Sequence, residues 1–157
     1  MLESFHAKYP TPFAVLGIRT LGDRITDIEY LQRGSAPLTP LNAAAERACR
    51  EIERYLEDAE YVPQIAHEYA GTAFQCKVWR SIATIPSGRT LTYKELARAL
   101  CTAPRPVGGA CGSNRIPIVI PCHRVISASG IGGFMHSTSA DALSIKRWLL
   151  RHEGVTA

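Results

Sequence analysis

The sequence predicts an α+β chain in two lobes, a small sheet-and-helix lobe over residues 1–66 and a mainly helical lobe over residues 67–157. Three observations carry this reading. Ile25-Thr26-Asp27-Ile28-Glu29-Tyr30-Leu31 reads as an alternating apolar and polar strand. Ala45, Ala48, Cys49, Ile52, Tyr55 and Leu56 recur at helical spacing, with Glu46, Arg47, Arg50, Glu53 and Arg54 on the other face. Beyond residue 70, helical spacing persists only in short stretches broken by Pro and Gly, which marks several short helices.

Taken in order, Phe13–Ile18 and Ile25–Leu31 form two strands joined at the turn Leu21-Gly22-Asp23. Thr39-Pro40 offers a helix start, with Pro at the first helical position. No residue of this lobe has catalytic spacing, so it reads as scaffold, with Cys49 in its core. In the second lobe Phe74, Val78, Trp79 and Ile82 repeat as one helix face that ends at Pro86-Ser87-Gly88. Thr92 and Glu95 form a capping box that opens a helix over Tyr93–Leu100, with Leu96 and Leu100 inward. After Thr102-Ala103-Pro104 a second short helix starts at Arg105, and the pair has a helix-turn-helix outline. The apolar run Ile116–Ile120 has the composition of a buried strand. The last helix begins near Thr138–Asp141, a further capping box, and buries Ile145, Trp148 and Leu149.

The net charge of +4 hides an asymmetry. Residues 1–76 hold 7 Lys/Arg against 11 Asp/Glu, whereas residues 77–157 hold 11 against 3. A half-chain that basic reads as a polyanion-binding surface, with the acidic half facing away. The longest apolar run is far short of the ~20 residues that span a bilayer. The first residues lack the layout of a signal peptide. Five cysteines, odd in number and without a C-x-x-C pair, point to reduced thiols and a cytoplasmic setting.

Pro121-Cys122-His123-Arg124-Val125 is the most informative segment. A cysteine reacts as its thiolate, and a free thiol near pKa ~8.5 needs a base or a positive charge to become one. A lone buried Cys is usually inert packing. The surrounding residues change that balance. The helix from Arg105 continues Pro106-Val107-Gly108-Gly109-Ala110-Cys111-Gly112-Ser113, and each Gly costs roughly 1 kcal/mol against Ala. A helix stripped of side chains suits either close packing on another helix or close approach to a groove such as the minor groove of B-DNA, about 6 Å wide. Sequence alone leaves those two readings equal.

These stretches together resemble the O6-alkylguanine-DNA alkyltransferases, also called methylated-DNA–protein-cysteine methyltransferases. The resemblance rests on Gly71–Trp79, Ile85–Tyr93, Arg105–Ala110, Asn114 and Ile118–Ile126, and on Lys146–Gly154. It is close over roughly residues 70–154 and holds only in outline before them. It implies a ribonuclease H-like first lobe, a DNA-binding and alkyl-acceptor second lobe, and a single-turnover reaction with no cofactor. The implied partner is double-stranded DNA, bound in the minor groove and bearing O6-alkylguanine or O4-alkylthymine, with no membrane and no obligate protein partner. In that role Cys122 takes the alkyl group, His123 is the base acting through a water, Glu153 orients it, Asn114 supports the turn and Tyr93 assists the leaving guanine. Arg105 fills the space left by the flipped nucleotide, and Tyr93, Gly108, Gly109, Ala110, Ser113, Arg115 and Arg124 meet DNA. Val125, Phe134 and Met135 line the pocket.

The chain departs from the family pattern at Pro106, Arg115, Ser127 and Phe134, where Ala, Pro, Gly and Tyr are more usual. Pro106 falls in the first helical turn, where a missing N–H is tolerated. The zinc site of some relatives is not expected, because no Cys precedes Cys49 and only His6 lies before it. Cys101, Cys111, Cys122 and His123 are too widely spaced to suggest a zinc set. Three other readings compete: a lesion-binding protein without chemistry, which the presence of Cys122 opposes; a Cys-His hydrolase, which the glycine-rich helix and basic half oppose; and a redox-sensing helix-turn-helix regulator.

Overall fold

The computed structural model describes residues 4–134 and 140–156. The chain divides into two compact units, residues 1–68 and 69–157.

The first unit is an antiparallel sheet in the order β1 (Ala7–Pro10), β2 (Val15–Leu21), β3 (Arg24–Leu31), covered by helix α1 (Ala43–Glu57). Leu16, Ile18, Ile25 and Ile28 meet Ala45, Ala48, Ile52 and Tyr55 in its core, and Cys49 is buried beside them. Strict alternation would put Ile25 and Ile28 on opposite faces. The register shifts between Arg19 and Thr20, leaving Thr26 as an extra residue, and this bulge brings both isoleucines inward. The helix starts later than Thr39-Pro40 suggests: extended Asn42 caps it, its Oδ1 accepting from the Ala45 amide at 2.8 Å. Strand β1 was not expected. It ends in Pro10 at the sheet edge, where a missing donor costs no ladder bond.

The second unit contains helices α2 (Ala73–Ala83), α3 (Tyr93–Ala99), α4 (Pro104–Gly112) and α5 (Ala140–His152), with short strands β4 (Leu91–Thr92) and β5 (Val125–Ile126). Thr72 with Gln75 and Thr92 with Glu95 form complete capping boxes at α2 and α3. Val78, Trp79 and Ile82 are buried, while Phe74 is half-buried. The buried indole of Trp79 donates to the Ala110 carbonyl at 2.8 Å, fastening α4 to α2. Between α3 and α4 the chain turns at Cys101 (φ 54), and the Thr102 amide reaches back to the Ala97 carbonyl at 2.9 Å. Residues β4 and β5 pair in parallel, Leu91 with Val125 and Thr92 with Ile126, so the start of α3 lies beside the Cys122 segment.

Two expectations fail here. Ile116–Ile120 is not a strand: the Ile120 amide bonds the Ile116 carbonyl at 3.0 Å, and Ile118 takes the left-handed conformation (φ 76). Buried apolar runs of this length look alike in sequence whether extended or turned. Among the described side chains of α5 the buried ones are Lys146, Leu149 and Leu150, with Ile145 and Trp148 only half-buried. The helix therefore sits rotated from the face that counting hydrophobic residues selects. The capping box proposed over Thr138–Asp141 falls partly outside the described residues.

Candidate active site

Cys122 opens a single 3₁₀ turn, Cys122–Arg124, between the Ile116–Ile120 turn and β5. Asn114 holds that turn from within: its side-chain oxygen accepts from the Ile116 amide at 3.0 Å and its amide donates to the Ile120 carbonyl at 2.8 Å. Asn114 is 2 % exposed, so these bonds are made away from water. A strand would have sent Cys122 and His123 to opposite faces. In the 3₁₀ turn that constraint does not apply.

The thiol of Cys122 is 3 % exposed. Burial raises its pKa above the ordinary value, while a hydrogen bond from Asn114 and the charge of Lys146 pull it down. Lys146 is fully buried on α5, and its ammonium donates to the Val125 carbonyl at 2.8 Å and the Gly133 carbonyl at 2.9 Å. Burial holds its pKa down at about 8, with thiolate charge on Cys122 and Cys111 opposing that fall. A buried cation whose hydrogen-bond partners among the described residues are two carbonyls, with no carboxylate, is costly unless a negative charge forms close by. Thiolate at Cys122 meets that condition.

Behind the thiol lies a second charge cluster. His123 is 1 % exposed, and its Nε2 is 2.9 Å from Glu153 Oε2. Arg124 grips the same carboxylate with Nε to Oε1 at 2.9 Å and Nη2 to Oε2 at 2.8 Å, and gives Nη1 to the Ile85 carbonyl at 2.6 Å. This bidentate pairing keeps Glu153 ionised, so His123 donates from Nε2 and presents the lone pair of Nδ1. That Nδ1 is buried with no hydrogen-bond partner among the described residues. Burial lowers the His123 pKa, and the Glu153 contact only partly restores it. The imidazole is therefore neutral at pH 7 and able to take a proton.

In front of the thiol is a small pocket of about 80 Å³ lined by Tyr93, Gly108, Cys111, Gly112, Cys122, Gly133 and Phe134. Tyr93 begins α3, and burial pushes its phenol up to about 12, so it stays a donor at neutral pH. Among the described residues its hydroxyl makes one long bond, 3.5 Å, to the Gly133 carbonyl.

The structure brings Cys122, His123, Glu153 and Asn114 into one cluster, with Tyr93 and Phe134 across the pocket. Arg105, Gly109 and Arg115 are exposed, and Gly108 and Ser113 are half-buried. A Cβ added at Gly108 or Gly109 would meet nothing within 4 Å, so neither glycine is there to admit a neighbouring helix. Ala110 departs from its expected place on the outer face: it is 3 % exposed and its carbonyl is taken by Trp79. Arg124 likewise turns inward onto Glu153 and Ile85, which replaces the outward DNA contact expected of it with a clamp on the carboxylate. Val125 is fully buried and contributes its carbonyl to Lys146 rather than a pocket wall. Met135 lies outside the described residues. Sequence reasoning missed Lys146 and Cys111. The only hint of Lys146 was its place between Ile145 and Leu149–Leu150, and of Cys111 its place one turn along the glycine-rich helix from Val107.

The chain is also similar to known proteins. Residues 73–155 match the model for the DNA-binding domain of 6-O-methylguanine DNA methyltransferase. A methylated-DNA–protein-cysteine methyltransferase of Candida albicans is 45% identical over 152 residues, covering 91% of this chain and 83% of that protein. One from Haemophilus influenzae is 34% identical, covering 99% of this chain and 89% of its own. The crystal structure of Mycobacterium tuberculosis OGT in complex with DNA superposes with a TM-score of 0.78 at 30% identity, over 97% of this chain and 93% of that one. With likeness running through the thiol site and along nearly the whole length, the chain belongs to the methylated-DNA–protein-cysteine methyltransferase family.

Proposed function

We propose that this protein repairs O6-alkylguanine in double-stranded DNA by moving the alkyl group irreversibly to Cys122, one group per molecule. The observation that carries the reading is a thiol on the floor of a small pocket, with a buried cation on one side and a neutral His–Glu–Arg cluster on the other. The Cys122 proton passes to His123 Nδ1 through a water, and the imidazolium is held by Glu153. The thiolate, offset by Lys146, attacks the alkyl carbon in line. The carbon–oxygen bond breaks, and Tyr93, released from its long bond, donates to the departing guanine. Water does not hydrolyse a simple thioether, so the alkyl group stays on Cys122 and the protein is consumed.

On this reading the helix pair α3–α4 is a helix-turn-helix whose second helix lies along the minor groove. The bare Gly108–Gly109 face supports that approach, because it is open to an outside surface rather than filled by the protein. Guanine O6 is hidden by base pairing, so the nucleotide must be flipped out, with Arg105 entering the stack. Ser113 and Arg115 flank the same helix end and supply phosphate contacts. Residues 69–157 then carry both binding and chemistry, and residues 1–68 serve as scaffold. No described helix is long and apolar enough to cross a membrane. All five thiols are free, which suits a reducing compartment such as the cytoplasm. The direct test is intact mass after incubation with a duplex carrying O6-methylguanine: one methyl gained on Cys122 is expected, and an unchanged mass would leave a binder or sensor.

Arg105 and Tyr93 should separate flipping from chemistry. Arg105→Ala removes support worth on the order of a few kcal/mol from the flipped state. Duplex repair should slow by 10²-fold or so, while reaction with free O6-benzylguanine changes little. Tyr93→Ala should slow both. Equal losses for Arg105→Ala on the two substrates would assign Arg105 to the pocket instead.

The pH profile follows from three groups. His123 has a folded pKa below its ordinary 6.5, so the unfolded chain binds more protons just below that value. The stability it contributes is complete above 6.5 and is lost as pH falls toward the depressed folded value. Reaction with free O6-benzylguanine should therefore fail on the acid side as His123 protonates. On the alkaline side the rate should climb as Cys122 ionises, then bend above about 8 as Lys146 loses its proton. Lys146→Met should slow the reaction and remove the bend. A bend that survives in that variant would show that another group is responsible.

A further inference from the structure

The reaction described above leaves one thiol of the pocket unused. Cys111 lies on α4, is 6 % exposed, and lines the same small pocket as Cys122 and Tyr93. A free Cys is often no more than a small hydrophobe. This one shares a confined space with a carbon electrophile each time Cys122 is alkylated, and Lys146 acts on both sulfurs.

We infer that Cys111 completes a second step when the alkyl group delivered to Cys122 carries a leaving group on its outer carbon, as in an O6-(2-haloethyl)guanine, and that the two sulfurs end joined by an ethylene bridge. The inference rests on Cys122 being the acceptor. In the first step the Cys122 sulfur bonds the inner carbon and guanine leaves with the bonding pair, taking up a proton. The thioether sulfur then displaces halide from the outer carbon, forming a three-membered sulfonium ring. The Cys111 sulfur attacks a ring carbon, that carbon's bond to the sulfonium breaks, and the Cys111 proton goes to solvent. The second stage as a whole expels hydrogen halide and needs no oxidant or reductant.

Two features favour this route over hydrolysis. The Cys111 thiol is pushed up to about 12, first by burial and second by charge on Cys122, with Lys146 opposing. Alkylation removes the Cys122 charge and leaves Lys146 acting on Cys111 alone, so the second thiol becomes easier to ionise once it is needed. A two-carbon link also spans more than the ~2 Å of a disulfide, so the sulfurs need not reach bonding distance. The outcome would matter for repair: a haloethyl thioether left open can alkylate the DNA still bound beside it, and bridging quenches it within the protein.

The experiment uses the full chain, a duplex freshly treated with a 2-chloroethylating nitrosourea, and tryptic mass mapping. Arg115 lies between the two cysteines, so trypsin separates them unless they are linked. The expected product is a cross-linked pair of peptides, with an ethylene unit replacing the two thiol hydrogens, several-fold more abundant than 2-hydroxyethyl-Cys122. Cys111→Ser should lose the linked pair and carry the 2-hydroxyethyl group on Cys122; if that variant does not fold, the wild-type map decides alone. A 2-hydroxyethyl or 2-chloroethyl group on Cys122 beside a free Cys111 in the wild type would overturn the inference and leave the acceptor intact. No adduct on Cys122 at all would overturn the acceptor reading itself.

Discussion

Cys122→Ser should abolish alkyl transfer while leaving affinity for duplex DNA within a few-fold of the parent. A serine hydroxyl in the same place ionises far less readily than a thiol, and neither neutral His123 nor Lys146 can compensate for that difference. Loss of the nucleophile should cost on the order of 10³-fold or more in rate. DNA affinity comes mainly from phosphate contacts by basic side chains, and a residue 3 % exposed on a pocket floor makes none of these. Mass spectrometry for methyl uptake, with a salt-dependent binding assay alongside, checks both halves. Methyl found on Cys101 or Cys111 of the variant would refute the mechanism.

Glu153→Ala should have the largest effect on stability. That carboxylate receives His123 and both arms of Arg124, and its side chain is fully buried. Removing it strands a guanidinium that is only slightly exposed and leaves the buried imidazole without its anchor. Breaking such a pair typically costs about 3–5 kcal/mol, a large share of the ~5–15 kcal/mol by which domains are stable. Urea unfolding should show the loss as a lower midpoint at unchanged slope. Glu153→Gln keeps the shape but loses the charge, and should fall between the two. A loss under about 1 kcal/mol for the alanine variant would mean that Arg124 finds another partner and that the cluster is not the keystone of this turn.

How much of this was legible in the sequence depended on whether a residue's role is set locally. The Thr92/Glu95 capping box was readable because both partners lie within one helical turn, and it fixed where Tyr93 sits. Cys122, His123, Asn114 and Glu153 were identified through a resemblance, and the structure then placed them in one cluster. Arg124 reads as a surface cation because nothing near it in sequence is acidic; its partner is 29 residues away. Lys146 drew no reading of its own in the sequence, since the carbonyls of Val125 and Gly133 that receive it leave no trace in the chemistry of their side chains. The Ile116–Ile120 turn escaped because its folding instruction, the two side-chain bonds of Asn114, lies outside the run itself.

The bare face of α4 has a consequence for motion. The helix has nine residues, three of them glycine, which is below the ~12–15 residues at which an isolated helix becomes marginal in water. The glycines add a penalty of about 3 kcal/mol relative to alanine. Its helicity is therefore borrowed from Val107, Ala110 and Cys111 in the core and from the Trp79 indole that holds one of its carbonyls. Amide hydrogens of α4 should then exchange through local opening well before those of α2, whose Val78, Trp79 and Ile82 anchor it on their own. If α4 lies against the duplex as proposed, the helix there depends for its order on what it rests on and, in the complex, on the DNA as well.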